Sequence, residues 1–152
     1  MCIQTNTVLV NKSKISDCRI LELPKIHNRA GNITPVESGV IIPFEIARVY
    51  YLYDIPGGVM RGGHAHKKLY QLIVAASGSF DILLDDGENK KVINLNRPNF
   101  GLNIIPGIWR ELLNFSSGAC CLVLASHIYE MDDYIRDYNQ FIEYKNENSS
   151  NC

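Results

Sequence analysis

The spacing of turn residues limits the fold of this chain more than any other feature. Short segments rich in β-branched and aromatic residues (CRILEL near Ile20, IARVYYLYDI, LYQLIVAA, GSFDILLD, KKVINL, FGLNIIP, IWRELLNF and ACCLVLAS) run along most of its length. Between them stand turn formers: Pro56-Gly57-Gly58, Ser77-Gly78, Asp85-Asp86-Gly87, Arg97-Pro98-Asn99, Pro106-Gly107 and Ser116-Ser117-Gly118. Strands this short, interrupted this regularly, predict an all-β sandwich or barrel. Asp86-Gly87 predicts a hairpin, because Asp-Gly supplies positive φ angles. From Met131 to Tyr144, residues Tyr134, Ile135, Tyr138, Phe141 and Ile142 fall at spacings of three and four, which predicts one amphipathic helix or turn packed on the barrel. With 152 residues and no repeat, low-complexity run or linker, one core is expected over 19–144. An N-terminal extension (1–18) precedes it, and the polar ending KNENSSNC predicts a disordered tail over 145–152.

Fifteen Lys and Arg against sixteen Asp and Glu give a net charge of −1, so no general electrostatic pull on nucleic acid or an acidic membrane is expected. An anionic ligand must then be held by locally placed cations. Apolar runs such as LIVAA and CCLVLA are too short to cross a bilayer, and the N-terminus has no basic stretch followed by an apolar core. The five cysteines, Cys2, Cys18, Cys120, Cys121 and Cys152, show no CxxC spacing. An adjacent pair would make a strained disulfide, so Cys120 and Cys121 read as thiols within a strand and the protein as a cytoplasmic one.

The stretch richest in chemistry is GVMRGGHAHKKLYQLIVAASG, residues 58–78. His64 and His66 are two apart, so on a strand both rings point to one face, where they can bind a metal or move protons. In ARVYYLYD, alternation puts Arg48 and Tyr50 on one face and Val49, Tyr51 and Tyr53 on the other, and leaves open which face is inner. Arg61 precedes the histidines on a glycine-rich turn that admits close ligand approach. Trp109, the only tryptophan, is a candidate to stack on a flat ring or a sugar. Arg110, if it points inward, must face a carboxylate or a bound phosphate, because a buried unpaired guanidinium is costly.

Gly58, five residues, His64, one residue, His66, four residues, position 71, six residues and Gly78 resembles the first motif of the cupin superfamily of jelly-roll barrels. The usual metal-binding Glu is Gln71 here. GLNIIPGIWRELLN, 101–114, resembles the second motif with a gap one residue shorter, and the position of the ligand His holds Arg110. An amide is a poor ligand and a guanidinium has no lone pair, so no metal and no other cofactor is expected, and the two histidines are left for acid–base work.

The strings RGGHAHKK, IIPGIW and LASHIYEMDDYIRDYNQFIEY further resemble the cupin sugar 3,4-ketoisomerases acting on dTDP-4-keto-6-deoxyglucose, over about Ile20 to Tyr144. What the resemblance implies is a homodimeric isomerase that moves the carbonyl of a dTDP-linked 4-keto-6-deoxyhexose from C4 to C3 in the making of 3-amino-3,6-dideoxy sugars. His64, His66 and Tyr50 are then the catalytic candidates, with Arg48, Arg61, Gln71, Trp109 and Arg110 binding substrate. Two other readings share these residues: a dTDP-sugar 3,5-epimerase, and a non-catalytic sugar-binding cupin.

Overall fold

The structure is a computed structural model that describes residues 10–147. Two short 3₁₀ turns, Val10–Lys12 and Ile15–Asp17, lead into β1 (Arg19–Glu22) and a small hairpin of β2 (Ile26–Asn28) and β3 (Gly31–Ile33). Then come β4 (Arg48–Leu52), β5 (Arg61–His66), β6 (Gln71–Ser77), β7 (Phe80–Asp85), β8 (Lys90–Leu95), β9 (Phe100–Ile104), β10 (Trp109–Leu113) and β11 (Cys120–Ala125). A two-residue β12 (Tyr134–Ile135) and helix α1 (Tyr138–Asn146) follow. One sheet has the order β1-β9-β6-β11-β4 and the other β12-β5-β10-β7-β8. This is the expected all-β cupin jelly roll with a short C-terminal helix.

Burial explains the sequence pattern strand by strand. On β6, Ile73 and Ala75 join the interior with Phe80, Ile82 and Leu102, whereas Leu72 and Val74 pack outward against Ile42 and Phe44. A strand buried on both faces reads as an unbroken apolar run, and LIVAA is one. Cys121 lies in the interior and Cys120 is half-buried; both are free thiols, as is Cys18, while Cys2 and Cys152 lie outside the described residues. The Asp86-Gly87 hairpin is present: β7 pairs with β8 from Phe80↔Leu95 to Asp85↔Lys90, and Asp86 Oδ1 accepts the Glu88 and Asn89 N–H groups at 3.0 and 2.8 Å.

Two expectations at the C-terminus are corrected. The helix does not begin at Met131: residues Met131–Asp133 form a 3₁₀ turn and Tyr134 and Ile135 pair with His66 and Ala65 as β12. Asp137, accepting the Gln140 N–H at 2.9 Å, caps α1 at Tyr138. Nor does the ordered chain stop at 144. Lys145 is buried, and its Nζ donates to the carbonyls of Ser13 (2.5 Å) and Gly107 (3.1 Å). Residues 148–152 lie outside the described residues. No helix among the described residues is long and apolar enough to cross a membrane.

The Lys145 contacts tie the N-terminal turn, α1 and the Pro106-Gly107 turn together at the end of β5. Gly107 donates its N–H to the His66 carbonyl at 2.7 Å. Its φ is +82°, and a Cβ there would stand 2.2 Å from the Val10 carbonyl oxygen. Gly107→Ala should therefore lose stability through both strain and overlap, by about 2 kcal/mol or more. That corresponds to a Tm lower by roughly 4–8 °C at this chain length. Gly118→Ala, at φ +72° with open space around it, carries the strain alone and should cost about half as much. Equal losses in a thermal melt would show that contact with the N-terminal turn contributes nothing.

Candidate active site

On β5 the side chains of His64 and His66 turn inward while Ala65 turns outward toward Trp109 and Phe141. The two Nε2 atoms lie 3.1 Å apart. His66, fully buried, reaches Asp133 Oδ2 through Nδ1 at 2.9 Å, and Asp133 Oδ1 accepts the Lys68 N–H at 2.7 Å. An ionised carboxylate only accepts, so His66 carries its proton on Nδ1 and presents a lone pair at Nε2. His64 must then donate its Nε2–H to His66. The result is a line, Asp133–His66–His64, with His64 at the cavity wall.

Both imidazoles are held neutral. Burial lowers His64 from the ordinary 6.5 to about 2, helped by the positive field of Arg110 and by His66. His66 falls to about 4, because burial and Arg110 outweigh the hydrogen bond to Asp133 that pulls it up. Burial pushes Asp133 up, but the hydrogen bonds from His66 and the Lys68 amide outweigh it and leave the carboxyl below its ordinary range.

Across the sheet, Arg110 pairs in register with His64. Arg110 does point inward, but it faces neither a carboxylate nor a cavity. Its Nη1 donates to Gln71 Oε1, while Nε and Nη2 donate to the Ile108 carbonyl at 3.3 and 3.0 Å. Gln71 Nε2 in turn donates to the Tyr50 hydroxyl at 2.9 Å. Burial lowers Arg110 to about 10, so it remains a cation at neutral pH. Burial pushes the Tyr50 phenol up, with Arg110 opposing.

These groups border a cavity of about 360 Å³ lined by Arg48, Tyr50, Leu52, Arg61, Gly62, His64, Leu112, Tyr134 and Arg136. Three arginines and no carboxylate line it, so the cavity is cationic in a chain whose net charge is −1. The Arg48 Nε is buried with no hydrogen-bond partner among the described residues. Its guanidinium carbon lies 5.2 Å from the Tyr50 ring centre.

Of the residues singled out in the sequence, His64, Tyr50, Arg48 and Arg61 meet the cavity, and His66, Gln71 and Arg110 stand behind it. Trp109 is corrected outright. Its ring is buried outside the barrel against Tyr138 and Phe141, with Nε1 donating to Glu111 at 3.0 Å. Asp133, Tyr134 and Arg136 are site residues that the sequence reading does not single out. They lie in the DYIRDY string that carries part of the resemblance, on β12 and the turns flanking it, beside β5. The Tyr134 ring centre is 5.0 Å from that of His64 and 4.3 Å from that of His66.

The residues do not fit a metal at the cupin ligand positions. Arg110 brings a positive charge to the fourth position, the Gln71 oxygen is taken by it, and the two Nε2 atoms are turned on each other.

Residues 16–146 match the family model described as FdtA: WxcM-like, C-terminal. This chain belongs to that family. The FdtA-like chain is 42% identical over 126 residues to the TDP-4-oxo-6-deoxy-alpha-D-glucose-3,4-oxoisomerase of Aneurinibacillus thermoaerophilus, covering 83% of this chain and 91% of the relative. It superposes on a 3,4-ketoisomerase from Helicobacter canadensis with a TM-score of 0.84 at 46% identity, covering 86% of this chain and 98% of the other. QdtA, the 3,4-ketoisomerase of Thermoanaerobacterium thermosaccharolyticum, gives 0.84 at 37% identity, covering 88% and 97%; that structure is a His-to-Asn variant in complex with TDP-4-keto-6-deoxyglucose.

The neutral histidines, one buried and one half-buried, make stability depend on pH. Their folded pKa values lie below the ordinary 6.5, so on acidification the unfolded chain takes up protons first. Stability is then full above about pH 6.5 and is lost toward pH 4 for His66 and further for His64. The Tm of the FdtA-like protein should fall between pH 7.5 and 5, a window above the titration of Asp133. His64→Asn should flatten that fall, and an unchanged slope in melts across the window would assign the acid sensitivity elsewhere.

Proposed function

We propose that this chain is a metal-independent 3,4-ketoisomerase that converts TDP-4-keto-6-deoxyglucose into the 3-keto sugar by acid–base catalysis, for 3-amino-3,6-dideoxy sugar synthesis. The observation that carries this reading is the Asp133–His66–His64 line ending on the wall of a cavity lined by three arginines. Membership of the FdtA-like family and its ketoisomerase relatives support it.

The chemistry follows from the ketone. A C4 carbonyl acidifies the C3 proton, and its removal moves the electron pair into a C3–C4 double bond with negative charge on the C4 oxygen. Protonating that oxygen gives the enediol. Loss of the C3 hydroxyl proton with delivery of a proton to C4 then leaves the carbonyl at C3, with no net change in protons. A neutral imidazole at the cavity wall accepts and returns these protons. Of the two rings, His66 has the higher proton affinity because Asp133 stands beside it, so a proton taken at His64 is better held on His66. The pair acts as one acid–base unit.

Arg48, Arg61 and Arg136 supply the local cations that a diphosphate and an enediolate require. A homodimer belongs to the same reading. It is supported by Val49, Tyr51 and Tyr53, all exposed on or beside edge strand β4, and by Ile26 and Ile33, exposed on the β2–β3 hairpin. The free thiols Cys18, Cys120 and Cys121 support a cytoplasmic setting.

His64→Asn and His66→Asn should each lower turnover of TDP-4-keto-6-deoxyglucose roughly 10²–10⁴-fold while TDP binding stays within about threefold. NMR of the wild-type reaction in deuterated buffer decides the reaction class. Isomerisation gives a new C3 ketone with deuterium at C4. A ketone left at C4 with deuterium at C3 and C5 marks an epimerase, and no new signal marks a binding protein.

A further inference from the structure

The direction of one proton in this site follows from what a guanidinium is able to do. Arginine only donates hydrogen bonds, so the Gln71 amide must turn its oxygen to Arg110, as it does. Its nitrogen is thereby forced toward Tyr50, whose hydroxyl oxygen accepts at 2.9 Å. The amide has no freedom to flip. Arg110, 2% exposed, is itself clamped by two bonds to the Ile108 carbonyl, and Gln71 is 1% exposed on the central strand β6. The Tyr50 hydroxyl, having accepted a hydrogen bond on that side, has its own proton to place. No acceptor among the described residues takes it, and Tyr50 lines the cavity.

Resting on the ketoisomerase reading, we infer that Arg110 and Gln71 are positioning residues that aim the Tyr50 hydroxyl proton into the cavity, where Tyr50 donates a hydrogen bond to the sugar oxygen that becomes negative in the enediolate. Neither Arg110 nor Gln71 touches the cavity, so both act through Tyr50. The site thus uses a buried cation to turn a phenol that could donate or accept into an obligatory donor toward substrate. A donor fixed before charge develops lowers the barrier without reorganisation during the reaction.

Gln71→Glu tests this. The introduced carboxylate would give Arg110 the counter-charge it lacks, so the fold should hold, but its second oxygen would accept where the amide nitrogen had donated. Tyr50 must then turn its proton away from the cavity. Turnover should fall to the level of Tyr50→Phe, roughly 10²-fold, with KM and TDP binding unchanged and no further loss in the double variant. Assays contain a chelator so that the new carboxylate with the two histidines recruits no metal. Gln71→Met, with neither donor nor acceptor, should lie between wild type and Gln71→Glu.

A second readout does not use activity. The Tyr50 phenol, faced by Arg110, Tyr134, Arg48 and Cys121, is titrated by tyrosinate absorbance against a Tyr50→Phe reference. Gln71→Met should raise its pKa, because an N–H that stabilised the phenolate is gone. A lowered pKa would mean that the phenol donates to the amide, and would overturn the inference, as would wild-type turnover in Gln71→Glu. If Gln71→Glu does not fold, the direction of the Gln71→Met shift decides. If the wild type turns over no ketosugar, the functional reading fails while the titration still settles where the proton points.

Discussion

The site depends on a buried positive charge that no carboxylate among the described residues contacts. Burying a guanidinium costs several kcal/mol unless its donors are taken up, and Arg110 disposes of them on one amide oxygen and one backbone carbonyl. Its field acts on His64, His66 and Tyr50. Burial is the main cause that keeps His64 and His66 neutral, which a proton acceptor at neutral pH requires; the Arg110 field adds to it there and opposes the effect of burial on the Tyr50 phenol. The same field favours the negative charge of an enediolate. Asp133 counters it most directly at His66, so along the line of rings a proton is favoured on His66 over His64.

That arrangement needs β5 held in register while carrying one buried and one half-buried ring and a pair of glycines. The chain does this from its ends. The His66 carbonyl is bonded to Gly107, Gly107 has no room for a side chain beside the Val10 carbonyl, and Lys145 bridges Ser13 to Gly107. On the other side β12 pairs with His66 and Ala65 and delivers Asp133, whose carbonyl also accepts the Lys67 N–H at 3.0 Å. Segments at both ends of the described chain are therefore part of what sets the histidines, although neither supplies a cavity-facing base.

Much of this was legible in the sequence, where one rule sufficed. Period-two alternation placed the histidines on one face and Arg48 with Tyr50 together, and turn chemistry gave the strand breaks. The same rule already spoke against Trp109: adjacent residues on a strand face opposite ways, so with Arg110 inward the tryptophan had to point out toward α1. Apolar spacing misled at 131–135, because Tyr134 and Ile135 are buried by strand pairing with β5, and only Asp137 marks the true helix start. Asp133 was beyond such reading. It lies 67 positions from His66, and its neighbours Asp132 and Asp137 offer the same carboxylate with nothing local to choose among them. The partner of Arg110 was hidden for a related reason: charge balance suggests a carboxylate, and only the backbone path shows that an amide and a carbonyl are already in reach.

The four cupin ligand positions therefore still converge, but on protons. In a metal site each would direct a lone pair at a common point. Here two imidazoles share a proton, and the remaining pair has become a donor and the amide that relays its direction. A cation is retained behind the wall, now covalently attached as Arg110 and bonded to neutral groups. Its charge still polarises the neighbouring histidines, yet it has no open coordination position with which to bind the sugar. Recognition of substrate oxygens must then fall to groups that line the cavity, and the inward faces of β4 and β5 with the 134–136 segment supply them: Arg48, Tyr50, Arg61, His64, Tyr134 and Arg136.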